Sequence, residues 1–469
     1  MRKKIVVLGG GTAGWITALM VHTRFPNEDI TVIASEEIGI LGAGEGTVFN
    51  ILIFLDQANI NILDVFKECK ATVKYGILFK DWAGEGSAYF HAFSHNIHHT
   101  AEQLCLNKKV PYGVPPPNLL RPFNPMFALH FDARLFATFL KKIAISRGIK
   151  HIDKKVVKVE NGNNDEVKKL HFDDKETIEL DFIFDCSGFR REILGKHYKV
   201  KWKSYSDVLG VNAAIPFFKP IDADESFISG TEAIAMKNGW VWKIPVVDRY
   251  GMGYVYDTNY ATKEDIIHEI QESFGVDLPS DSREFKFDPG THKKILIKNC
   301  FACGLAHHFV EPLEATNIAK TIAYLDVFLG LLKGNIENYK ADRIVNWLNK
   351  HIMLDQKELK DFIHAHYLTS RADTPFWKEY KIKHPENSYI KKIRKILKNF
   401  SVDQMTPLQL AIAKNIPSHT GGWELSSWEI ILKGSVGSKK LYSGTPDPSL
   451  PFYFTNKDFM HYIQGLREN

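Results

Sequence analysis

The sequence KIVVLGGGTAGWITALMVHTRF, residues 4–25, decides the fold. Its first five residues are mostly β-branched and apolar, Gly9, Gly11 and Gly14 then form a GxGxxG pattern, and apolar residues follow at helical spacing. A second apolar run covers residues 29–33. In this pattern the glycines allow a tight turn, close approach of backbone to a diphosphate, and close packing of helix on strand. The segment therefore predicts a βαβ unit that binds a dinucleotide at the helix N-terminus.

Later strand ends that carry glycine favour FAD over NAD, because a long cofactor takes contacts from distant segments. One such end is DCSGFR at residues 185–190, and another is Gly304, although either alone would be an ordinary turn. Ala34 and Ser35 stand where an acidic ribose ligand is usual, and Glu36 follows slightly late. The predicted cofactor-binding residues from these segments are Gly9, Gly11, Thr12, Ala13, Gly14, Glu36, Asp185, Gly188 and Gly304.

Composition indicates a globular protein with two or three structural modules. The chain has 469 residues, 44% of them hydrophobic and 25% charged, without low-complexity segments. A net charge of +5 over this length is too small to indicate a nucleic-acid partner. The one basic run, residues 378–398, has isoleucine and leucine interleaved at helical spacing, which favours a solvated helix face over a polyanion site.

The cysteines and the N-terminus predict a cytoplasmic location. Five scattered cysteines argue against a disulfide framework and for a reducing compartment. Cys300 and Cys303 form a CxxC without a second pair at zinc spacing, so we interpret them as packing thiols rather than metal ligands. The opening MRKK precedes an apolar run too short for a signal peptide, and no run reaches the length of a membrane span.

Seven short segments together are more specific than any one of them. The segments are GGGTAGW (9–15), VKYGILFKDW (73–82), HFDA (130–133), DCSGFR (185–190), WVWKIP (240–245), PLEAT (312–316) and DTPFW (373–377). Together they resemble the flavin-dependent tryptophan halogenase family. The resemblance runs with gaps from residue 1 to about residue 380.

The resemblance implies an α/β fold: a Rossmann-like FAD-binding module of the hydroxylase type, an inserted β-sheet on the substrate side and a C-terminal helical region. The order of strand-like and helical segments along the chain also favours such an intertwined arrangement. We predict an FAD-binding module from 1–85, 120–200 and 287–335, a substrate-side sheet from 86–119 and 201–286, and a mainly helical region, 336–469, that closes the substrate pocket.

The resemblance also implies a reaction in which FADH2 and O2 with halide generate hypohalous acid. Lys74 resembles the family's catalytic lysine and Glu314 its catalytic glutamate. A lysine can donate a hydrogen bond to hypohalous acid or form a haloamine, and a carboxylate can polarise the oxidant, stabilise a cationic arenium and remove its proton. Without the resemblance, Lys74 would be read as a solvated side chain and Glu314 as a helix cap.

Further site residues follow from the same resemblance. Backbone groups of Thr316 and Asn317 are implied to bind halide, with Asn317 standing where the family usually has glycine. Trp240 and Trp242 are implied to keep substrate away from the flavin, and His91 and Phe93 are implied to contact the substrate. Core packing would also explain these four aromatic residues. The strap that joins flavin and substrate sites resembles Gly44, Glu45, Gly46 and Thr47, followed by Phe49 in place of the usual proline.

A single dinucleotide fingerprint implies that reduced FAD comes from a separate flavin reductase. The halide would be chloride, bromide or iodide, and the substrate a small electron-rich arene such as tryptophan, a free indole or a phenol. Two alternatives stay open at this stage: a flavin-dependent aromatic hydroxylase and a catalytically silent flavin-binding protein. The sequence also leaves open whether the chain forms an oligomer.

Overall fold

Strands and helices alternate near the N-terminus, and strands dominate the middle of the chain. The computed structural model describes residues 2–35, 37, 45–93, 109–111, 127–222, 225, 227–399, 402, 423–437 and 453–455. Its strands are β1 (Lys4–Leu8), β2 (Asp29–Ala34), β3 (Glu45–Gly46), β4 (Thr72–Lys74), β5 (Gly76–Lys80), β6 (Ala88–Ala92), β7 (Lys109–Pro111), β8 (Ala128–Phe131), β9 (Lys150–Asp153), β10 (Val156–Asn161), β11 (Val167–Phe172), β12 (Thr177–Glu179), β13 (Phe182–Asp185), β14 (Trp202–Ser204), β15 (Ala213–Pro220), β16 (Thr231–Ala235), β17 (Gly239–Val246), β18 (Arg249–Tyr256), β19 (Phe285–Lys286), β20 (Gly290–His292), β21 (Leu296–Ile297), β22 (Cys300–Ala302), β23 (His308–Phe309) and β24 (Tyr453–Thr455). Its α-helices are α1 (Thr12–Arg24), α2 (Asn50–Gln57), α3 (Ile62–Glu68), α4 (Ala133–Ser146), α5 (Lys263–Phe274), α6 (Thr316–Leu331), α7 (Asp342–Tyr367), α8 (Pro375–Lys383), α9 (Ser388–Asn399) and α10 (Leu425–Gly434).

The opening stretch forms the centre of a mostly parallel sheet. Its strand order is β21-β22-β13-β1-β2-β9, and only β21 pairs antiparallel. Helix α1 begins directly after the glycine-rich turn, is buried from Gly14 to Val21, and packs against α4 and α6. The sequences of α1 and its neighbouring strands are nearly continuous apolar runs, because these elements are buried on several sides. The predicted Rossmann-like βαβ opening is therefore confirmed.

A second large sheet has the strand order β19-β15-β18-β17-β16-β5-β6. All neighbours pair antiparallel except β16 and β5. Five of the seven strands come from residues 213–286, within the predicted substrate-side sheet. The other two, β5 and β6, pair with each other, so the module boundary predicted after residue 85 falls between two partners in one sheet.

A third, small sheet has the strand order β3-β8-β4. Its register places Gly46 opposite His130 and His130 opposite Thr72. Only Tyr75 separates β4 from β5, so Lys74, the last residue of β4, lies at the junction of the small sheet and the second large sheet.

Helices follow the last strands of the parallel sheet, as the sequence predicts. A 3₁₀ turn at Leu313–Ala315 leads directly into α6, and the 26-residue α7 follows it in the chain. The basic run contributes α9, in which Ile390, Ile393 and Leu397 are buried while the lysines between them are exposed. The spacing of apolar residues in that run thus predicts its buried face.

A membrane-spanning helix and a metal site each impose requirements on the described part of the chain. Among the described helices, none combines the length and apolar character that crossing a membrane requires. Within the same part of the chain, no group of three or more His, Cys, Asp or Glu side chains converges as metal ligands. Cys300 and Cys303 are both buried, and burial raises the pKa of each thiol. Cys105 lies outside the described residues.

Candidate active site

The glycine-rich turn borders a large cavity at the carboxyl ends of the central parallel strands. The cavity has a volume of about 1410 Å³. Gly9 has φ +126°, and a β-carbon there would lie 2.2 Å from the carbonyl oxygen of Cys186. A β-carbon on Gly14 would lie 1.9 Å from the carbonyl oxygen of Gly9, whereas one on Gly11 would meet nothing within 4 Å. The first and third glycines are therefore required by packing, while the second leaves the helix N-terminus open to a ligand.

This cavity fits the diphosphate of a dinucleotide cofactor. Helix α1 starts at its wall without a side-chain cap, so the unpaired backbone N–H groups of its first turn and its positive end are available to an anion. Thr12 and Ala13 both line the cavity, and the Thr12 hydroxyl is buried without a hydrogen-bond partner among the described residues. Gly188, which has φ +65°, also lines it.

Several other predicted cofactor residues stabilise the walls instead of facing the cavity. Asp185 accepts hydrogen bonds from the backbone N–H groups of Ile193 and Leu194, and burial raises its pKa. Gly304 has φ +57°, and a β-carbon there would lie 3.2 Å from the methyl group of Ala13. Both residues thus shape the turns around the cavity without lining it.

The predicted strap is only partly described. Thr47 donates a hydrogen bond of 2.7 Å from its hydroxyl to the carbonyl oxygen of Leu129, which fixes the strap to β8. Gly46 lines a second cavity. Glu36 and Gly44 lie outside the described residues, as does the side chain of Glu45.

The second cavity has a volume of about 380 Å³ and mostly apolar walls. Seven of the described residues line both cavities, so the two adjoin: Phe189, Arg283, Phe285, Phe287, Leu305, Asn317 and Ile318. The further residues that line the second cavity include Lys74, Thr231, Trp240, Trp242, Ile244, Phe309, Glu311, Glu314 and Thr316. The structure therefore brings the predicted Lys74 and Glu314 to one cavity that borders the predicted dinucleotide site.

Lys74 is completely buried, and its Nζ has no hydrogen-bond partner among the described residues. Burial lowers its pKa to about 7, although the charge of Glu314 opposes the shift. A β-carbon on Gly46 would lie 3.3 Å from Nζ, so glycine leaves room for the amine. The ring centroid of Phe93 lies 5.4 Å from Nζ. The lysine can therefore exist in both charged and neutral forms at neutral pH.

Glu314 is held by two histidines from different parts of the chain. Its Oε1 accepts hydrogen bonds from His91 Nδ1 at 2.8 Å and from His366 Nε2 at 3.0 Å. Burial alone would raise its pKa, but the charge of His91 and the hydrogen bonds from His366 and His91 outweigh it and hold the pKa well below its usual range. Glu314 and Ala315 have φ values of +65° and +52°, a strained backbone that turns the carboxylate toward the histidines.

His366 is a site residue that sequence reasoning missed. It lies near the end of α7, where its Nδ1 donates a 2.9 Å hydrogen bond to the carbonyl oxygen of Phe362. Its sequence context, HAHYL, contains two histidines that helix periodicity alone cannot separate. Only the fold shows that one of them reaches Glu314.

Glu311 is a second buried carboxyl group that sequence reasoning missed. Its Oε2 accepts hydrogen bonds from Trp240 Nε1 at 2.9 Å and from the Tyr367 hydroxyl at 2.8 Å. Burial raises its pKa to about 7 despite both hydrogen bonds. Trp240 is thus fixed by an acceptor, and its ring meets that of Trp242 edge-on with 6.3 Å between centroids. The two predicted tryptophans form one wall of the second cavity.

The residues predicted to bind halide lie at the start of α6. Thr316 is buried and lines the second cavity, whereas Asn317 lines both cavities. The Oδ1 atom of Asn317 is buried and accepts no hydrogen bond within the described ranges. An asparagine side chain therefore occupies the boundary between the two cavities.

Comparison with known proteins shows the family of this chain. The family model for tryptophan halogenase matches residues 4–113 and 107–443. Tryptophan 7-halogenase RebH from Lentzea aerocolonigenes is 31% identical over 81% of this chain and 78% of its own length. Tryptophan 6-halogenase ThaL from Streptomyces albogriseolus is 29% identical over 81% and 79% of the two chains.

Solved structures share this fold. BrvH, a flavin-dependent halogenase from Brevundimonas sp. BAL3, superposes with a TM-score of 0.75 at 27% identity and covers 100% of this chain and 96% of its own. Tryptophan 6-halogenase SttH from Streptomyces toxytricini superposes with a TM-score of 0.80 at 24% identity over 100% and 96% of the two chains. This chain therefore belongs to the tryptophan halogenase family and is a flavin-dependent halogenase.

Proposed function

We propose that the protein uses hypohalous acid to halogenate a small electron-rich arene, and that Lys74 and Glu314 direct the oxidant. The observation that carries the proposal is the burial of both side chains at one cavity, which adjoins the cavity of the glycine-rich turn. Burying a lysine and an ionised glutamate in an apolar wall costs free energy. Such buried titratable groups cluster at functional sites, which supports a catalytic role for both.

The backbone of Gly9, Gly11, Thr12 and Ala13 would hold the diphosphate of FAD, with Gly188 facing it. When bound, reduced FAD supplies hypohalous acid from O2 and halide. We assign the halide site to the backbone of Thr316 and Asn317, because the first turn of α6 presents unpaired N–H groups to the second cavity. Trp240 and Trp242 form a rigid wall that keeps the arene out of the second cavity.

Lys74 would act on the oxidant. As an ammonium it donates a hydrogen bond to the oxygen of hypohalous acid, which polarises the oxygen–halogen bond. As an amine it attacks the halogen, so that a nitrogen–halogen bond forms, the oxygen–halogen bond breaks, and the released hydroxide takes the amine proton as water. Either form places an electrophilic halogen at the same buried position.

Glu314 would act on the arene. Attack of the ring on the halogen gives a cationic arenium, which an ionised carboxylate stabilises before it accepts the ring proton. His91 and His366 both bind Oε1, and Oε2 takes no hydrogen bond from the described residues, so Oε2 is the atom that can accept that proton. We place the arene beside Phe93 and His91, which approach Lys74 and Glu314 respectively.

The reduced cofactor would come from a separate flavin reductase, with chloride, bromide or iodide as the halide. The curated relatives named above are tryptophan halogenases, and we propose an indole such as tryptophan, or a phenol, as the substrate. An electron-rich ring is required because the lysine-bound halogen is a mild electrophile.

Mass spectrometry of reaction products tests the proposal. Reactions would contain the protein, FAD, a flavin reductase, NADH, a panel of indoles and phenols, and one halide at a time. We expect halogenated products that disappear in Lys74→Met and persist in Lys142→Met, whose side chain is exposed. Hydroxylated products would identify an aromatic hydroxylase instead, and the absence of any product across the panel would contradict the proposal.

A further inference from the structure

The segment EPLE, residues 311–314, carries two buried glutamates, Glu311 and Glu314, that line the second cavity. Consecutive residues of α7 hold them. The Tyr367 hydroxyl donates to Glu311 Oε2 at 2.8 Å. His366 Nε2 donates to Glu314 Oε1 at 3.0 Å. A histidine can carry positive charge and a phenol hydroxyl cannot, so the two carboxyl groups meet different electrostatic environments at one cavity.

Glu311 is the neutral member of this pair. Its Oε2 atom accepts hydrogen bonds from Trp240 Nε1 and from the Tyr367 hydroxyl, which are both uncharged donors. Burial raises its pKa to about 7, and these hydrogen bonds offset the shift only in part. The titratable groups that face it are Tyr367 on α7 and Tyr380 on α8, and burial keeps both phenols neutral by raising their pKa values. Without a cationic partner among the described residues, Glu311 retains its proton up to neutral pH.

The hydrogen bonds decide which oxygen of Glu311 carries that proton. A carbonyl-type oxygen has two lone pairs, and Oε2 uses both to accept from Trp240 and Tyr367. The proton therefore lies on Oε1, which has no hydrogen-bond partner within the described ranges. A buried O–H group without an acceptor costs free energy, and a ligand oxygen in the cavity that Glu311 lines would remove that cost.

Glu314 has the opposite character, because its histidine partners hold its pKa well below the usual range. Two carboxyl groups whose environments drive their pKa values apart divide into an acid and a base. Building on the proposed function, we propose that Glu311 is a catalytic acid, which gives its Oε1 proton to the oxygen of hypohalous acid in the second cavity as the halogen leaves that oxygen.

The proton transfer balances without any further reactant. The oxygen–halogen bond breaks, the nitrogen of Lys74 takes the halogen, and the proton from Glu311 makes the leaving oxygen water. The proton that the amine then releases restores Glu311 to its neutral form. An amine and hypohalous acid have become a haloamine and water. Because water is a better leaving group than hydroxide, the acid makes the halogen more electrophilic.

Infrared difference spectroscopy tests the protonation of Glu311 without FAD or halide. A protonated carboxyl group has a carbonyl stretching band separate from those of carboxylates and amides, so the wild-type spectrum minus that of Glu311→Gln isolates it. We expect the band at low pH and its loss with a midpoint near pH 7. Tyr367→Phe removes a donor that favours the carboxylate. It should therefore raise the midpoint by about one pH unit, a tenfold change in the ionisation equilibrium.

Steady-state kinetics on an arene that the wild-type enzyme halogenates test the proton transfer itself. Glu311→Gln keeps an acceptor for Trp240 and Tyr367 but has no acidic proton, so kcat should fall about a hundredfold while KM for the arene stays the same. The matched control is Glu269→Gln on α5. Glu269 is also buried and also accepts from a tyrosine hydroxyl, that of Tyr254 at 3.0 Å, and its replacement should leave kcat unchanged.

Other outcomes contradict the catalytic acid. A carboxyl band that is missing below pH 7, or a kcat in Glu311→Gln equal to that of the wild type, would each overturn it. Thermal melts establish whether Glu311→Gln folds. If it does not, labelling of glutamate carboxyl groups with carbon-13 and the midpoint shift in Tyr367→Phe still identify the band. A wild-type protein without halogenated product would contradict the proposed function, whereas an active wild type with an equally active Glu311→Gln would contradict the acid alone.

Discussion

Glu314 and His366 form an ion pair in which the imidazole donates from both ring nitrogens. The carbonyl oxygen of Phe362 accepts from Nδ1, so a hydrogen bond to the ionised Glu314 requires a second proton, on Nε2. A buried carboxylate with such a partner stays ionised in an environment that would otherwise neutralise it. The pair therefore keeps a charged carboxylate at a cavity with mostly apolar walls.

Replacing His366 should shift the acid side of the activity profile. Because the pKa of Glu314 is held down by its histidine partners, its contribution is present at neutral pH and is lost as pH falls through the folded-state value. His366→Gln keeps a donor but removes the charge, so we expect the acid limb of kcat to move upward by about one pH unit. The matched control is His364→Gln on the same helix, which donates to the carbonyl oxygen of His384 and should leave the limb in place.

Lys74→Met should stabilise the protein while it abolishes halogenation. The pKa of Lys74 is about 7 in the folded state, against 10.5 for an ordinary lysine, so between these values the unfolded chain binds more protons and stability rises with pH. We expect the variant to gain about 3 kcal/mol in free energy of unfolding at pH 7, with a smaller gain at pH 10. Urea titrations at both values measure this, and an equal gain at the two would show that Lys74 does not titrate between them.

Glu311 should make stability fall as pH rises from 4.5 toward 7. Its folded-state pKa of about 7 exceeds the ordinary 4.5, so the contribution of the protonated form is complete below 4.5 and is lost as pH rises through 7. Glu311→Gln mimics the protonated acid and should remove this slope. Glu311→Leu leaves Trp240 Nε1 and the Tyr367 hydroxyl without their acceptor, which should cost about 2–4 kcal/mol. Chemical denaturation across this pH range separates the two variants.

Alanine substitutions in the glycine-rich turn should separate cofactor binding from folding. Gly11→Ala adds a β-carbon that meets no protein atom, so the melting temperature of the cofactor-free protein should not change. FAD affinity should fall about tenfold, because the β-carbon lies where the diphosphate approaches the backbone. Gly14→Ala would instead place a β-carbon 1.9 Å from the carbonyl oxygen of Gly9 and should prevent folding. Flavin fluorescence titrations and thermal melts distinguish these effects, and unaltered FAD affinity in Gly11→Ala would place the cofactor elsewhere.

Asn317→Gly should change halide preference. The asparagine side chain reaches the boundary of both cavities with its Oδ1 buried and unpaired among the described residues. Removing an oxygen that repels anions should alter the chloride-to-bromide selectivity by about fivefold, which corresponds to about 1 kcal/mol. Competition kinetics with both halides present measure the ratio. An identical ratio in the variant would count against a halide at this position.

The sequence predicts this fold where local patterns are strong and loses accuracy where distant segments meet. GxGxxG between a strand and a helix specifies its own geometry, so the opening βαβ unit follows from residues 4–33. The predictions for Lys74 and Glu314 come from the motifs that contain them, and both side chains line the second cavity. His366 is 52 residues from Glu314, and no local pattern records which face of α7 meets the carboxylate.

Glycine-bearing strand ends indicate where the predicted cofactor cavity lies but not which side chains line it. Asp185 and Gly304 lie in segments that border the predicted cofactor cavity, yet one caps a turn and the other packs on Ala13. A motif shows that a turn lies near the cofactor, whereas the hydrogen bonds around it decide which side chain faces the ligand. Glu311 was missed for a related reason, since nothing in EPLE distinguishes its two carboxylates before Trp240 and Tyr367 are in place.

The side chains that line the second cavity determine which residues an oxidant formed there would attack first. None of the described residues that line it is a cysteine or a methionine, although sulfur is the protein element that strong oxidants attack fastest. Under the proposed mechanism, hypohalous acid in that space would meet the Lys74 nitrogen and two tryptophan rings before any thiol or thioether of the described lining residues. Oxidative damage should therefore accumulate on Trp240 and Trp242. The rate at which these two side chains are oxidised should then set the number of turnovers before the enzyme is inactivated.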